Sequence, residues 1–476
     1  MTLPTAPDRA TRTESDLLGS LALPADAYWG IHTERARANF DSAATPVAAM
    51  PTLIVALAEV KLACARANQA CGVLPAALAD AIVAACERVR GGALHEQFVV
   101  DVLQGGAGTS TNMNANEVLA NAALESLGLA RGRYDVVHPN DHVNASQSTN
   151  DVYPSALRLA LWRATAPLLN EIQQLGAALA RQAATGAEVL KIGRTQLQDA
   201  VPMTVGQEIG AWARSVQADR AALAQARLGL LVVNLGGTAI GTGVNAPEGF
   251  GARAVAELAE LTGLPLLQAA DLVHAGQDTA AFIDLSAALR RIAVHLGKIA
   301  NDLRLLGSGP QAGFGDLRLP PRQAGSSIMP GKVNPVIPEM VNQVAFDVIG
   351  GDLTVTLACE AGQLQLNAFE PLIGWTLHRH AQQLARALAA LRRHCIDGLQ
   401  PDAARLAERV ATSATLATTL APYIGYAAAS QVAKQALASR RSVVEVVATT
   451  PALSAEALAQ WRQSTGTLRT DCSAAD

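Results

Sequence analysis

Apolar residues recur in steps of three and four from Phe282 through Leu285, Leu289, Ile292, Leu296 and Ile299 to Leu303, while Asp284, Arg290, Arg291, Lys298 and Asp302 fall between them. This spacing gathers the apolar side chains into one stripe and leaves the charges on the other faces, so it predicts a long helix packed along a bundle seam. Leu161, Leu168, Ile172, Leu175 and Leu179 repeat the pattern. Pro167 is expected to kink that helix or mark its first turn, because proline has no N–H and crowds the preceding turn. Two more long helices are predicted. One runs from about Val205 to Val233, between Pro202 and Gly236-Gly237; the other runs from about Pro338 through Leu391, broken near Gly350-Gly351 and again at Gly362.

Helices this long exceed the usual globular length, and their apolar seams are not all satisfied within one chain. They predict an extended bundle that completes its core by assembling with further copies, a homo-oligomer. The stretch from Asp16 to about Gln147 reads as shorter helices and loops, and the tail after about Pro401 as a small helical unit. The expected fold is all-α, with an N-terminal helical domain at 1–149, a central helix-bundle domain at 150–400 and a small C-terminal helical domain at 401–476. No repeat of 20 to 50 residues is visible.

Composition agrees with helices whose backbones approach closely: half of the 476 residues are apolar, yet only 4% are aromatic. A net charge of −4 gives no basic footprint for nucleic acid and no cationic stripe for an anionic membrane, which leaves small-molecule chemistry as the expectation. Residues Met1 to Ser20 carry charges and proline but no apolar core, so no signal peptide or anchor is read there and a cytoplasmic protein is expected. Cys64, Cys71, Cys86, Cys359, Cys395 and Cys472 show no CxxC spacing and read as reduced thiols. No HExxH occurs, and His378 and His380, two residues apart, point to different helix faces, so no catalytic metal site is predicted.

The chemistry is concentrated in polar loops between the helices. Residues 325–335, Gly-Ser-Ser-Ile-Met-Pro-Gly-Lys-Val-Asn-Pro, place two hydroxyls, a cation and an amide in one segment that glycine and proline keep out of regular helix. Those groups suit the handling of a carboxylate. Gly105 to Asn112 lacks the Gly-Lys-Ser/Thr of a nucleotide loop, but its backbone N–H groups and Thr109 at a helix entry can hold an anion. Ser148-Thr149-Asn150-Asp151 precedes a long helix, where dipole and unpaired N–H groups also favour negative charge. Helix capping accounts for either of these two clusters equally well. Gly193 to Pro202 reads as a polar turn ahead of a helix, with Thr195 and Gln196 as donors. Gly236 to Asn245 lacks the order of a dinucleotide loop and reads as a tight connector.

Taken in order, Asp26 to Thr33, Gly105 to Glu117, His138 to Asp151, Gly193 to Pro202, Gly236 to Asn245, Gly325 to Pro335 and Pro422 to Tyr426 resemble the fumarase and aspartase superfamily of lyases along nearly the entire chain. Within it the likeness is greatest to aspartate ammonia-lyases. It rests on Gly30-Ile31-His32-Thr33, on Ser148-Thr149-Asn150 where fumarases usually have two serines before the asparagine, on Gln196 where fumarases and some aspartases carry histidine, and on Glu360 to Asn367.

The resemblance implies a three-domain subunit with a central long-helix bundle, a homotetramer, and active sites shared between subunits. It also implies reversible elimination of ammonia from L-aspartate to give fumarate through an aci-carboxylate intermediate. By the same resemblance Ser326 is the base, and Ser327 with the loop N–H groups receives the developing charge. Thr195, Lys332 and Asn334 hold the α-carboxylate; Thr109, Ser148 and Thr149 hold the β-carboxylate; Asn150 meets the amino group. Gln196 can donate hydrogen bonds but cannot exchange a proton as histidine does. His138 lines a second carboxylate site or is an ordinary loop histidine. No cofactor is expected to be required, and activation by a divalent metal such as Mg, as in some members, stays open. The alternatives are fumarate hydratase on the same scaffold and a non-catalytic structural or binding paralogue.

Overall fold

The computed structural model describes residues 10–449, 456 and 459–461. The chain is predominantly helical, in the order β1 (Thr11–Asp16), β2 (Gly19–Pro24), α1 (Ile31–Asn39), α2 (Pro51–Ala70), α3 (Ala76–Arg90), α4 (Thr109–Ser126), α5 (Thr149–Thr185), β3 (Leu190–Thr195), β4 (Gln198–Thr204), α6 (Val205–Leu228), β5 (Val232–Val233), α7 (Phe250–Thr262), β6 (Leu267–Gln268), α8 (Leu272–Ala275), α9 (Ala280–Leu306), β7 (Leu317–Arg318), α10 (Val336–Glu360), α11 (Glu370–His394), β8 (Gln400–Pro401), α12 (Ala403–Thr412), α13 (Ala421–Ile424), α14 (Tyr426–Ser439) and α15 (Val443–Ala448). The strands form four separate pairs, all antiparallel except β5 with β6. Two compact units result, Met1–Leu169 with Ala221–Arg291 and Asp347–Gln383, and Asn170–Arg220 with Ile292–Phe346 and Leu384–Asp476.

The seam from Phe282 to Leu303 lies on α9, and all seven of its apolar residues are buried. The run from Leu161 to Leu179 lies on α5, which continues unbroken through both Pro154 and Pro167. Pro167 removes one backbone hydrogen bond from the preceding turn. There Thr165 Oγ1 donates to the Leu161 carbonyl at 2.8 Å, and Arg227 of α6 donates to the Trp162 carbonyl at 2.7 Å while its guanidinium lies 3.9 Å over the Trp162 ring. Side-chain contacts thus hold the turn that proline weakens. Helix α6 ends at Leu228, earlier than expected. Gly229 to Leu231 form a 3₁₀ turn, and the β-branched pair Val232-Val233 joins β6 instead of the helix.

Gly350 and Gly351 do not break α10. A Cβ on Gly351 would sit 1.9 Å from His380 Cε1, so the glycine is what lets α10 and α11 approach. The break falls at 361–369, where Asn367 Nδ2 donates to the last carbonyls of α10, Ala358 and Cys359, and its Oδ1 accepts from Phe369 N at the start of α11. One side chain caps both helices. Away from α11, α10 exposes Phe346, Ile349, Leu353 and Leu357, a stripe in steps of three and four.

In the first unit α2 is buried on nearly every side, including Glu59, Lys61 and Asn68. Glu59 pairs with Arg90 at 3.3 Å and Arg163 at 2.6 Å. The motif Gly30 to Thr33 starts α1. Its N–H groups on Gly30, His32 and Thr33 donate to Glu117 of α4 at 2.8, 2.8 and 3.1 Å, so a distant carboxylate does the work of an N-cap. A Cβ on Gly30 would meet Glu14 and Tyr134 at 2.7 Å, which explains the glycine.

Glu370, the first residue of α11, is buried near Arg158, and desolvation pushes its carboxyl up to about 8. The native state therefore keeps a proton that the unfolded chain releases above about 4.5, and stability is expected to decline as pH rises from 4.5 to 8. Glu370→Gln should flatten that decline, as denaturant titrations at pH 5 and pH 8 would measure.

In the second unit the C-terminal helices close over Leu416, Leu420, Val432, Val443, Val446 and Trp461. The five described cysteines are free thiols, four of them buried; Cys472 lies outside the described residues.

Candidate active site

Thr109, His138, Ser148, Thr149 and Asn150 lie in the first unit. Gly106, Ala107 and Gly108 turn the chain with φ of +90°, +55° and +87° into α4, and a Cβ on Gly108 would lie 2.5 Å from the Tyr153 ring. Thr109, the first residue of α4, donates its hydroxyl to the Gly106 carbonyl at 2.7 Å. Ser148 precedes α5: its N–H donates to Asp151 Oδ1 at 2.9 Å and its Oγ accepts from Asn150 N at 3.2 Å. Asp151 Oδ2 in turn accepts from Gly236 N and Thr238 N at 3.0 Å each. Asn150 Nδ2 donates to the Ala239 carbonyl at 2.8 Å, and the Asn150 carbonyl accepts from Asn234 Nδ2 at 2.9 Å.

The segment 236–245 is therefore more than a connector. It fixes the entry of α5 and holds the Asn150 amide so that Oδ1 is left for an incoming donor. Nothing in the local pattern of that glycine-rich run marks this role, because the partners are some 85 residues away along the chain.

His138 begins a short π-turn, Pro139–Val143, and its Nδ1 accepts from Asn140 N and Asp141 N at 3.1 Å. An acceptor Nδ1 leaves the ring proton on Nε2 in the neutral form. The described histidines and carboxylates nowhere form a group of three able to hold a metal ion, even with cysteine included.

Thr195, Gln196, Ser326, Ser327, Lys332 and Asn334 lie in the second unit. Thr195 ends β3, and the segment expected as a simple polar turn is a β-hairpin, β3 pairing with β4. Gln196 and Leu197 form its two-residue tip with φ of +54° and +63°, the left-handed geometry that matches strand twist in tight hairpins. The alternation of Leu190, Ile192 and then Val201, Met203 was its only sequence signal. A buried charge network anchors the hairpin. Lys191 reaches Glu208 at 2.8 Å and Asp316 at 3.3 Å, Arg194 reaches Asp316 at 2.6 Å, and Arg409 of α12 closes on the same carboxylate. Three cations, two of them on β3 itself, thus face two carboxylates.

The loop 325–335 is irregular, as its glycines and prolines predict. Gly325 N donates to the Lys332 carbonyl at 2.7 Å and Asn334 Nδ2 donates to the Gly325 carbonyl at 3.1 Å, so the loop is closed at its base. Ser326 Oγ accepts from Ile328 N at 3.1 Å and Met329 N at 2.9 Å. Two amide dipoles aimed at one hydroxyl oxygen favour its deprotonated form. Ile328, Met329 and Val333 are exposed on the loop, and Lys332 is exposed with no acidic partner among the described residues. Beside Lys332 and Asn334 opens a cavity of about 980 Å³, which Arg304, Arg318, Arg322 and Arg405 also line. Glu339 and Asp402 line it too, and the balance of the lining is positive.

Residues 19–350 match the family model described as Lyase, and residues 416–464 match the one described as Fumarase C C-terminus. The chain is 54% identical to the aspartate ammonia-lyase of Pseudomonas aeruginosa, over 93% of this chain and 94% of that protein, and 47% identical to that of Escherichia coli, over 92% and 91%. Among solved structures, the fumarate lyase:delta crystallin of Brucella melitensis bound to cobalt superimposes with a TM-score of 0.93 at 52% identity, covering 95% of this chain and 98% of that one. The class II fumarase of Schistosoma mansoni does so with 0.91 at 32% identity, covering 95% and 98%. With the fold, the loop and the likeness in agreement over nearly its full length, the chain belongs to the lyase family that includes the aspartate ammonia-lyases and the class II fumarases.

Proposed function

We propose that this protein is an aspartate ammonia-lyase, which converts L-aspartate reversibly to fumarate and ammonia. The observation that carries the reading is the kinship with aspartate ammonia-lyases along almost the whole chain, at higher identity than with the class II fumarase. The geometry supplies the means. The C–H next to the β-carboxylate is weakly acidic, and its removal loads a second negative charge on that carboxylate, so the site must bind the aci-carboxylate better than the substrate.

Ser326 is the base. Its alkoxide is stabilised by the Ile328 and Met329 amides it already accepts from, and by the charge of Lys332. As Ser326 takes the proton from carbon 3, the electron pair moves onto the β-carboxylate, held by Thr109, Ser148, Thr149 and Ser327. Thr109 turns its hydroxyl from the Gly106 carbonyl to do so. The pair then forms the C2=C3 double bond as the C–N bond breaks. The substrate's ammonium leaves as neutral ammonia, so Gln196 need donate no proton and can serve by hydrogen bonding alone. Asn150 Oδ1 accepts from that ammonium, which can only donate, while its Nδ2 donates to the Ala239 carbonyl. Thr195, Lys332 and Asn334 receive the α-carboxylate. No cofactor enters this step. His138, with Nε2–H directed away from its own turn, is the proposed contact of a second carboxylate site.

The active unit is a homotetramer in which neighbouring copies supply the two clusters of each site; the exposed stripe Phe346, Ile349, Leu353 and Leu357 is its proposed contact face. The proposed compartment is the cytoplasm, which suits five free cysteines. Incubation of the purified protein with L-aspartate or L-malate tests the function. Fumarate and ammonia in equal amounts from aspartate are expected; fumarate from malate alone would make it a fumarate hydratase, and no product from either would make it a binding protein.

A further inference from the structure

Behind the first cluster lies a buried polar chain whose orientations are forced one by one. Lys61 of α2 is fully buried, and its Nζ donates to Asn144 Oδ1 at 2.7 Å and to Gln147 Oε1 at 3.0 Å. An ammonium only donates, so the oxygen of Asn144 must face it. That oxygen also receives Nδ2 of Asn112 and of Asn116, at 3.2 Å each. With its amide nitrogen directed there, Asn112 places its other N–H on Thr149 Oγ1 at 3.0 Å.

The Thr149 oxygen thereby accepts one N–H, and among the described residues no acceptor meets its own hydrogen. Threonine hydroxyls usually rotate to suit their surroundings; with an N–H already on its oxygen, this one keeps its hydrogen to donate at the N-terminus of a 37-residue helix.

We propose that Asn112 is a positioning residue for the elimination: held by Lys61 through Asn144, it locks the Thr149 hydroxyl as a hydrogen-bond donor toward the substrate's β-carboxylate. This rests on the assignment of Thr149 to that carboxylate. An ordinary buried asparagine would satisfy only itself. Asn112 is 1% exposed, and both of its side-chain hydrogen bonds among the described residues are made by its nitrogen, one to Asn144 and one to Thr149.

Steady-state kinetics of the full-length enzyme with L-aspartate compare Asn112→Ala in three backgrounds. Next to native Thr149 the change lowers kcat/KM by about 10- to 100-fold, the range for a lost hydrogen bond to a charged group. Next to Thr149→Ser, which keeps the hydroxyl, a loss of the same size recurs. Next to Thr149→Val it costs less than about twofold, because the group that Asn112 orients is gone. An equal loss in the valine background, or none beside native Thr149, overturns the proposal. Should Asn112→Ala not fold, Asn112→Asp carries the same comparison, since a carboxylate of the same shape draws the Thr149 hydrogen inward. A native enzyme that makes no fumarate from L-aspartate defeats the assigned function, whereas an active one with additive losses defeats only the role of Asn112.

Discussion

Ser326→Ala is expected to lower kcat for fumarate formation by about three to four orders of magnitude, the upper range for loss of a general base, with little change in KM. The reasoning rests on one oxygen. A serine hydroxyl at neutral pH is a poor base, but Ser326 Oγ already accepts two backbone N–H groups within its own loop, at 3.1 and 2.9 Å. Those donors are bound to the loop's conformation and need no rearrangement when charge arrives on the oxygen. Alanine keeps the loop closure through Gly325, Lys332 and Asn334, which does not involve the hydroxyl. The melting temperature should therefore stay close to the native value. A rate change of less than tenfold would remove Ser326 from the role of base.

Leu353→Asp is expected to break the proposed tetramer and with it nearly all activity. Leu353 is 61% exposed at the middle of a stripe that includes Phe346 at 65% and Leu357 at 59%. A single exposed leucine needs no explanation, but four apolar residues on one face of a long helix do. Packed against neighbouring copies, that face would bury each side chain for about 1.5 to 3 kcal/mol. An aspartate there must lose its water without a partner, a penalty of several kcal/mol repeated in every subunit. Analytical ultracentrifugation should show monomers with the helical content retained, and turnover should fall below about 1% of native because no complete site forms. A tetramer with native turnover would place the interface elsewhere.

The loop behind the first prediction was legible in the sequence, whereas the exposed stripe on α10 behind the second was not read there. The seam on α9 was visible because a long helix with one buried face imposes its period on every third or fourth residue. The loop at 325–335 was visible because glycine, proline, hydroxyls and lysine are crowded into eleven positions. What escaped was set by contacts remote in sequence. Pro167 reads as a kink, but Arg227 of another helix supports its turn. Gly350-Gly351 reads as a break, but Gly351 is there to admit His380. The hairpin carrying Thr195 hides in a polar run because its anchors, Asp316 and Arg409, come from far down the chain. Asn112 stood inside a cluster noted for its glycines and Thr109. Its signal was the run Asn112, Asn114, Asn116 and Glu117 on α4, polar residues whose burial demands partners.

The proposed sharing of each site between copies is tested most directly by mixing two crippled proteins. Ser326→Ala and the double variant Ser148→Ala/Thr149→Val each damage a different cluster, so each alone should be nearly inactive. Denatured together in equal amounts and refolded, they should recover about a quarter of native activity, because random assembly of a symmetric tetramer joins an intact loop to an intact α5 entry at about one site in four. Activity that stays at the level of the separate variants would contradict the account.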